Sequence, residues 1–194
     1  RFTGGAVGYF GYDAARYYEK LPGIPHDDMG IPDIHFILTG EILACDHLKQ
    51  KIYIIVNIFC GEKADIDRNY YTAAQRIKDI YLEIINTRWK LADFKKTELR
   101  THAGLDYQSN VTKERYIQNV LKVKEHIRNG DIFQAVISQR LKTKTDRHPF
   151  NIYRALRIIN PSPYMFYIRF DGYTILGSSP EMLVRVDNGT VETC

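Results

Sequence analysis

The order of apolar and polar positions changes period several times along this chain. From Gly4 to Gly11 glycines alternate with apolar residues, a pattern that predicts a buried strand with close backbone approach. Asp13 is placed to cap a short helix over Ala14 to Tyr18, and Pro22-Gly23 ends it. A loop from Ile24 to Pro32 follows. Two strands come next, Asp33 to Asp46 and Lys51 to Phe59, rich in Ile, Phe, Tyr and Val and joined by the polar turn His47 to Gln50. Then Ile66, Tyr70, Ala73, Ile77, Ile80 and Ile84 recur at spacings of three and four, one apolar stripe on a long helix. Asp65 is its predicted N-cap, and it ends near Arg88.

Leu91 to Ser109 is polar and aperiodic and reads as a connector. Tyr116, Val120, Val123 and Ile127 mark a second helix, from a Thr112 cap to a Gly130 stop. Ile132 to Thr143 alternates as a strand, with Gln134, Val136, Ser138 and Arg140 on one face. A short helix over Asn151 to Ile159 closes at Asn160-Pro161-Ser162-Pro163. Two hairpins follow. Met165 to Phe170 and Thr174 to Gly177 flank Asp171-Gly172, and Met182 to Val186 and Thr190 to Thr193 flank Asn188-Gly189. Strands in hairpins and helices in separate blocks define an α+β fold with antiparallel sheets. Gly4 to Gly8 lacks the G-x-G-x-x-G order, and no Walker lysine follows it, so tight strand packing explains these glycines better than a nucleotide loop.

Composition narrows the picture. The 194 residues are 44% hydrophobic and 26% charged, which excludes wholesale disorder. The net charge of +4 is well mixed, and Lys142 to Arg147 reads as a strand running into a loop, so no nucleic-acid partner is expected. Three cysteines without tight spacing, Cys45, Cys60 and Cys194, argue against a disulfide framework or a C-x-x-C zinc site and for a reducing, cytoplasmic setting. The apolar run Ile52 to Phe59 is too short to span a bilayer, so no membrane is expected. The chain opens at Arg1 without Met and stops after a strand-like Thr190 to Thr193, which reads as a piece of a longer protein.

Four segments carry a more specific signal. Gly4-Gly5-Ala6-Val7-Gly8-Tyr9-Phe10-Gly11-Tyr12-Asp13, Asp131-Ile132-Phe133-Gln134-Ala135-Val136-Ile137-Ser138-Gln139-Arg140, Asn160-Pro161-Ser162-Pro163-Tyr164-Met165-Phe166 and Gly177-Ser178-Ser179-Pro180-Glu181 occur in that order. Together they resemble the chorismate-utilising enzymes. The resemblance implies an α/β sandwich of antiparallel sheets with outer helices, incomplete here, with residues 1–194 as the central part of a single chorismate-binding domain truncated at both ends. It also implies a lyase reaction: Mg²⁺-dependent amination of chorismate and elimination of pyruvate to give anthranilate, the first step of tryptophan biosynthesis. A glutamine amidotransferase subunit would supply ammonia from glutamine, and L-tryptophan would inhibit by feedback.

Carried over by the same resemblance, Pro163, Tyr164 and Met165 would line the tryptophan pocket. On pattern alone they are an ordinary helix-to-strand connection; a proline-fixed turn with polarizable and aromatic side chains also suits an indole. Glu181 would be the general acid on the departing ring hydroxyl, a role that needs a water-excluding site to keep it protonated; alone, it reads as a solvated glutamate. Gln134 stands where water-adding relatives carry a lysine. An amide cannot act as a base, which suits ammonia as the nucleophile, and it equally suits a polar position on a sheet face. No metal ligand is assigned within the chain, and the Mg²⁺ ligands are expected beyond it, so residues 1–194 alone are expected to be inactive. The relatives that make aminodeoxychorismate, and a small-molecule-binding module without chemistry, stand as alternatives.

Overall fold

The computed structural model describes residues 2–61, 65–87 and 106–193 and contains two compact units, divided between residues 93 and 94. In the first unit, β1 (Gly5–Phe10) pairs antiparallel with β2 (Ile34–Thr39), from Gly5 opposite Thr39 to Phe10 opposite Ile34. The expected close approach is present. A methyl group at Gly8 would overlap the His35 carbonyl, so the alternating glycines let this ribbon close. The burial expected of this strand is not: its residues are half-buried or exposed. A 3₁₀ helix follows at Tyr12–Tyr17. Its N-cap is Gly11, without a side-chain cap; Asp13 sits inside the first turn, where its carboxylate takes the Arg16 guanidinium at 2.7 Å. An intrahelical ion pair has displaced the predicted cap.

The single strand expected over Asp33 to Asp46 is two. Gly40 separates β2 from β3 (Glu41–Asp46), and β3 pairs with β4 (Lys51–Val56) across the predicted turn. Asn57 explains the break. Its amide N–H donates to the Gly40 carbonyl at 2.7 Å, while its side chain donates to the Thr3 carbonyl at 2.9 Å, tying the β2–β3 joint to the start of β1. α1 (Ile66–Asn86) forms as predicted, with the Asp65 side chain accepting from the Arg68 N–H at 3.0 Å. It packs on β4 and buries Ala73 and Ile80, whereas Ile66 and Tyr70 at the start of the stripe remain exposed. Arg76 of α1 grips both carboxylate oxygens of Glu41 on β3, at 2.7 and 3.0 Å, and also reaches Glu83 at 3.1 Å.

In the second unit, α2 (Lys113–Asn129) runs between its predicted stops. Thr112 accepts from the Arg115 N–H at 3.2 Å, and Gly130 turns left-handed at φ 79°. The Asp131 N–H bonds to the His126 carbonyl and the Gly130 N–H to that of Ile127, a Schellman ending. α3 (Pro149–Ile159) begins two residues earlier than expected, because His148 caps it by accepting from the Phe150 N–H and Pro149 occupies its first position. Both hairpins form around their predicted turns. After the two-residue strands β5 (Gln108–Ser109) and β6 (Leu141–Lys142), β7 (Tyr164–Arg169) pairs with β8 (Thr174–Ser179), and β9 (Val184–Asp187) with β10 (Thr190–Thr193) through left-handed Asn188 and Gly189. β8 runs two residues further and β9 starts two residues later than expected.

One expected strand is absent. Of Ile132 to Thr143, only Leu141–Lys142 pairs, with Gln108–Ser109 at the end of the predicted connector; the rest of that connector, 91–105, lies outside the described residues. Alternation sorts side chains to two faces, but a strand also needs a ladder. Among the described residues no amide from 132 to 139 donates to a backbone carbonyl. Helices with antiparallel two-stranded ribbons make this an α+β fold, and Ala14, Ala73, Ile80 and Phe170 are its most deeply buried apolar residues among those described.

Candidate functional site

Pro163, Tyr164 and Met165 lie where α3 gives way to β7. Asn160 ends the helix, its N–H bonded to the Leu156 carbonyl at 2.8 Å. Pro161 and Pro163 offer no N–H and fix φ, so the turn between them is stiff. It is held from outside by Ser178 of β8, whose hydroxyl donates to the Asn160 carbonyl at 2.6 Å. The Ser162 hydroxyl is buried in the same turn, with no partner among the described residues.

Register decides which way the triplet faces. Tyr164 is opposite Ser179, Met165 opposite Ser178 and Phe166 opposite Gly177. Residues directly opposite share a face, and alternate residues along a strand share one too. Met165 therefore lies on the face of Tyr167, whose ring meets Phe150 and Tyr153 of α3 at 5.4 and 5.7 Å. Tyr164 and Phe166 occupy the other face, where the Phe166 ring fills the space over Gly177 that a side chain would take. The half-buried Met165 and the exposed Tyr164 thus do not form one common wall from the strand face; they could meet a ligand together only around the hairpin's end.

Glu181 is at that same end. It follows Ser179 by two residues, and the Ser179 hydroxyl donates to its carbonyl at 3.2 Å. Its side chain is exposed and makes no hydrogen bond among the described residues, so the water-excluding wall its acid role requires is not built from residues 106–193. Gln134 is carried elsewhere in the unit, on the unpaired stretch between Ile132 and Leu141. Asn110 clamps the far end of that stretch, accepting from the Arg140 N–H at 2.8 Å and donating to the Arg140 carbonyl at 3.1 Å, and the Tyr116 hydroxyl holds the Ile137 carbonyl at 3.2 Å. No hydrogen bond links Gln134 to the hairpin among the described residues. Among the described residues no three His, Cys, Asp or Glu side chains gather to hold a cation.

The structure thus brings Pro163, Tyr164, Met165 and Glu181 to one end of one hairpin, and no hydrogen bond among the described residues joins Gln134 to them. Sequence reading missed the serine pair, Ser178 and Ser179, that fastens both sides of this end. Both stand in the Gly177–Glu181 motif, but their tethering role depends on the register, which the motif does not give.

Antiparallel hairpins backed by helices, with the proline turn and Ser-Pro-Glu meeting at one hairpin end, agree with a family match: the chorismate binding enzymes match residues 1–194, and the chain belongs to that family. Within it, the chain is 59% identical over its whole length to the anthranilate synthase component 1 of Acetivibrio thermocellus, covering 39% of that protein. It is 42% identical over 98% of its length to the probable anthranilate synthase component 1 of Schizosaccharomyces pombe, covering 38% of it. The crystal structure of anthranilate synthase component I from Streptococcus pneumoniae TIGR4 superposes with a TM-score of 0.78 at 34% identity, over 98% of this chain and 41% of that one. The chain spans about two fifths of the length of these relatives.

Proposed function

We propose that this chain is the central part of an anthranilate synthase component I, which aminates chorismate and expels pyruvate to form anthranilate at the head of tryptophan biosynthesis. The observation that carries the reading is the shared hairpin end, where the proline turn leads into β7 with Met165 opposite Ser178 and the Ser-Pro-Glu segment leaves β8 at Ser179. The names of the relatives support it along the whole chain.

In this reading Glu181 gives a proton to the ring hydroxyl as it leaves, and the elements outside this chain supply the wall that keeps water from it. Gln134 neither gives nor takes a proton at neutral pH, so it can orient a nucleophile without generating hydroxide; ammonia carries its own lone pair and needs no base to attack. A glutamine amidotransferase, the second component, delivers that ammonia. Tryptophan binds at Pro163, Tyr164 and Met165 and inhibits. Mg²⁺ would supply charge neutralisation at the carboxylates of chorismate, with its ligands expected beyond this chain, and no step here runs through it. The exposed free thiols of Cys45 and Cys60 suit a reducing cytoplasm, and no described helix is long and apolar enough to cross a membrane.

The test is product identity from the parent enzyme with chorismate, Mg²⁺ and an ammonium salt, read by mass and fluorescence. Anthranilate, suppressed by added tryptophan, is expected. An aminated product that keeps its pyruvyl group would move the enzyme to aminodeoxychorismate synthesis. Absence of any product would leave a binding module.

A further inference from the structure

We propose that Ser178 is a positioning residue that sets the shape of the Pro163–Met165 segment, and that β8 carries a displacement of that segment to Glu181. The inference rests on the reading of Pro163–Met165 as the effector site. Ser178 holds two connections at once. Its backbone lies opposite Met165 in the hairpin, and its hydroxyl reaches the Asn160 carbonyl at 2.6 Å, on the other side of the proline turn. Asn160 also ends α3, so one hydroxyl joins helix end, turn and strand.

The turn has few other ways to be held. Pro161 and Pro163 donate nothing, and the buried Ser162 hydroxyl has no partner among the described residues. Met165 shares the α3-facing side of the hairpin with Ser178, so a ligand pressing on Met165 presses on the same face that bears this tether. β8 ends one residue on at Ser179, and Glu181 lies two residues beyond that end, its carbonyl held by the Ser179 hydroxyl at 3.2 Å. Movement of β8 in response to a filled effector site therefore reaches the carboxylate through covalent chain and one hydrogen bond.

The experiment is tryptophan inhibition of the full-length enzyme with its amidotransferase, with tryptophan binding followed by calorimetry. Ser178→Ala is expected to weaken both binding and inhibition roughly three- to tenfold, the loss of one hydrogen bond. Ser178→Thr, which keeps the hydroxyl, is expected to retain wild-type sensitivity. Equal sensitivity of wild type and Ser178→Ala would overturn the proposal and leave the effector site standing. Parallel loss of basal activity and sensitivity in both variants would make Ser178 merely structural and also overturn it. A wild-type enzyme that does not bind tryptophan would remove the effector reading itself, and the proposal with it.

Discussion

Two stretches of the second unit have the same promise in sequence and different fates in structure. Ile132 to Thr143 and Tyr164 to Ser179 both read as strand-forming sequence, and both lead to or carry a residue expected to do chemistry. The second is a six-by-six hairpin register; the first is paired only at Leu141–Lys142. The difference is where the partner lies. β7 finds β8 across Asp171-Gly172, with the Phe170 N–H bonded to the Tyr173 carbonyl at 2.9 Å and Gly172 left-handed at φ 86°. Closing so short a loop costs little entropy, so the ladder forms from adjacent chain. Residues 132–140 have no neighbour of that kind, and Phe133 is left 91% exposed. Local pattern therefore builds the Glu181 end of the site and only presents Gln134.

Four experiments would sharpen or break this contrast. The largest effect belongs to chemistry. In the parent enzyme, Glu181→Gln is expected to lower kcat by about 10²- to 10⁴-fold, while Gln134→Ala, which removes an orienting amide and no proton donor, costs about tenfold by the same reasoning. Steady-state rates on the two variants check this, and equal losses would break the distinction between the two positions. Next is the hairpin itself. Gly177→Val drives a branched side chain into the space of the Phe166 ring and should destabilise the enzyme by about 1–3 kcal/mol, read as a fall in Tm that Phe166→Ala partly relieves.

A smaller effect is expected where α2 hands over to the unpaired stretch. Gly130→Ala places a Cβ at φ 79° and should cost about 1 kcal/mol, measured by denaturant unfolding; no change would mean the Schellman ending does not hold that junction. The smallest is a surface control in the first unit. The Arg76 hydrogen bonds hold the Glu41 carboxyl below the usual glutamate value of 4.5. Because the folded value is lowered, the contribution to stability is complete above the unfolded value and is lost as pH falls through the folded one. NMR titration of Glu41 should show the lowered midpoint, and Arg76→Ala should return it towards 4.5; the stability change itself is slight because the pair is exposed.

What could be read from sequence follows the same division. α1 and α2 were legible end to end because their signals are local: Asp65 and Thr112 each accept from an N–H three residues on, and Gly130 supplies the left-handed stop. The Asn188-Gly189 turn was legible for the same reason, and Arg185 opposite Glu192 seals that ribbon at 3.2 Å. Gly40 was not, since the break there is made by Asn57, seventeen residues away. Asp13 was misplaced by a pairing with Arg16 that competes with capping. At the site, the residues expected to matter were visible, but their grouping was not. Only the register showed that Tyr164 and Met165 face opposite ways and that Ser178 and Ser179 tie the turn and Glu181 to one strand.

The central claim, that adjacent chain builds the hairpin end while the Gln134 stretch waits for a partner, is tested most directly by residue-resolved amide hydrogen exchange on residues 1–194. The account predicts slow exchange at the paired amides of Tyr164–Arg169 and Thr174–Ser179 and fast exchange from 132 to 139. Equal protection in the two stretches would contradict it.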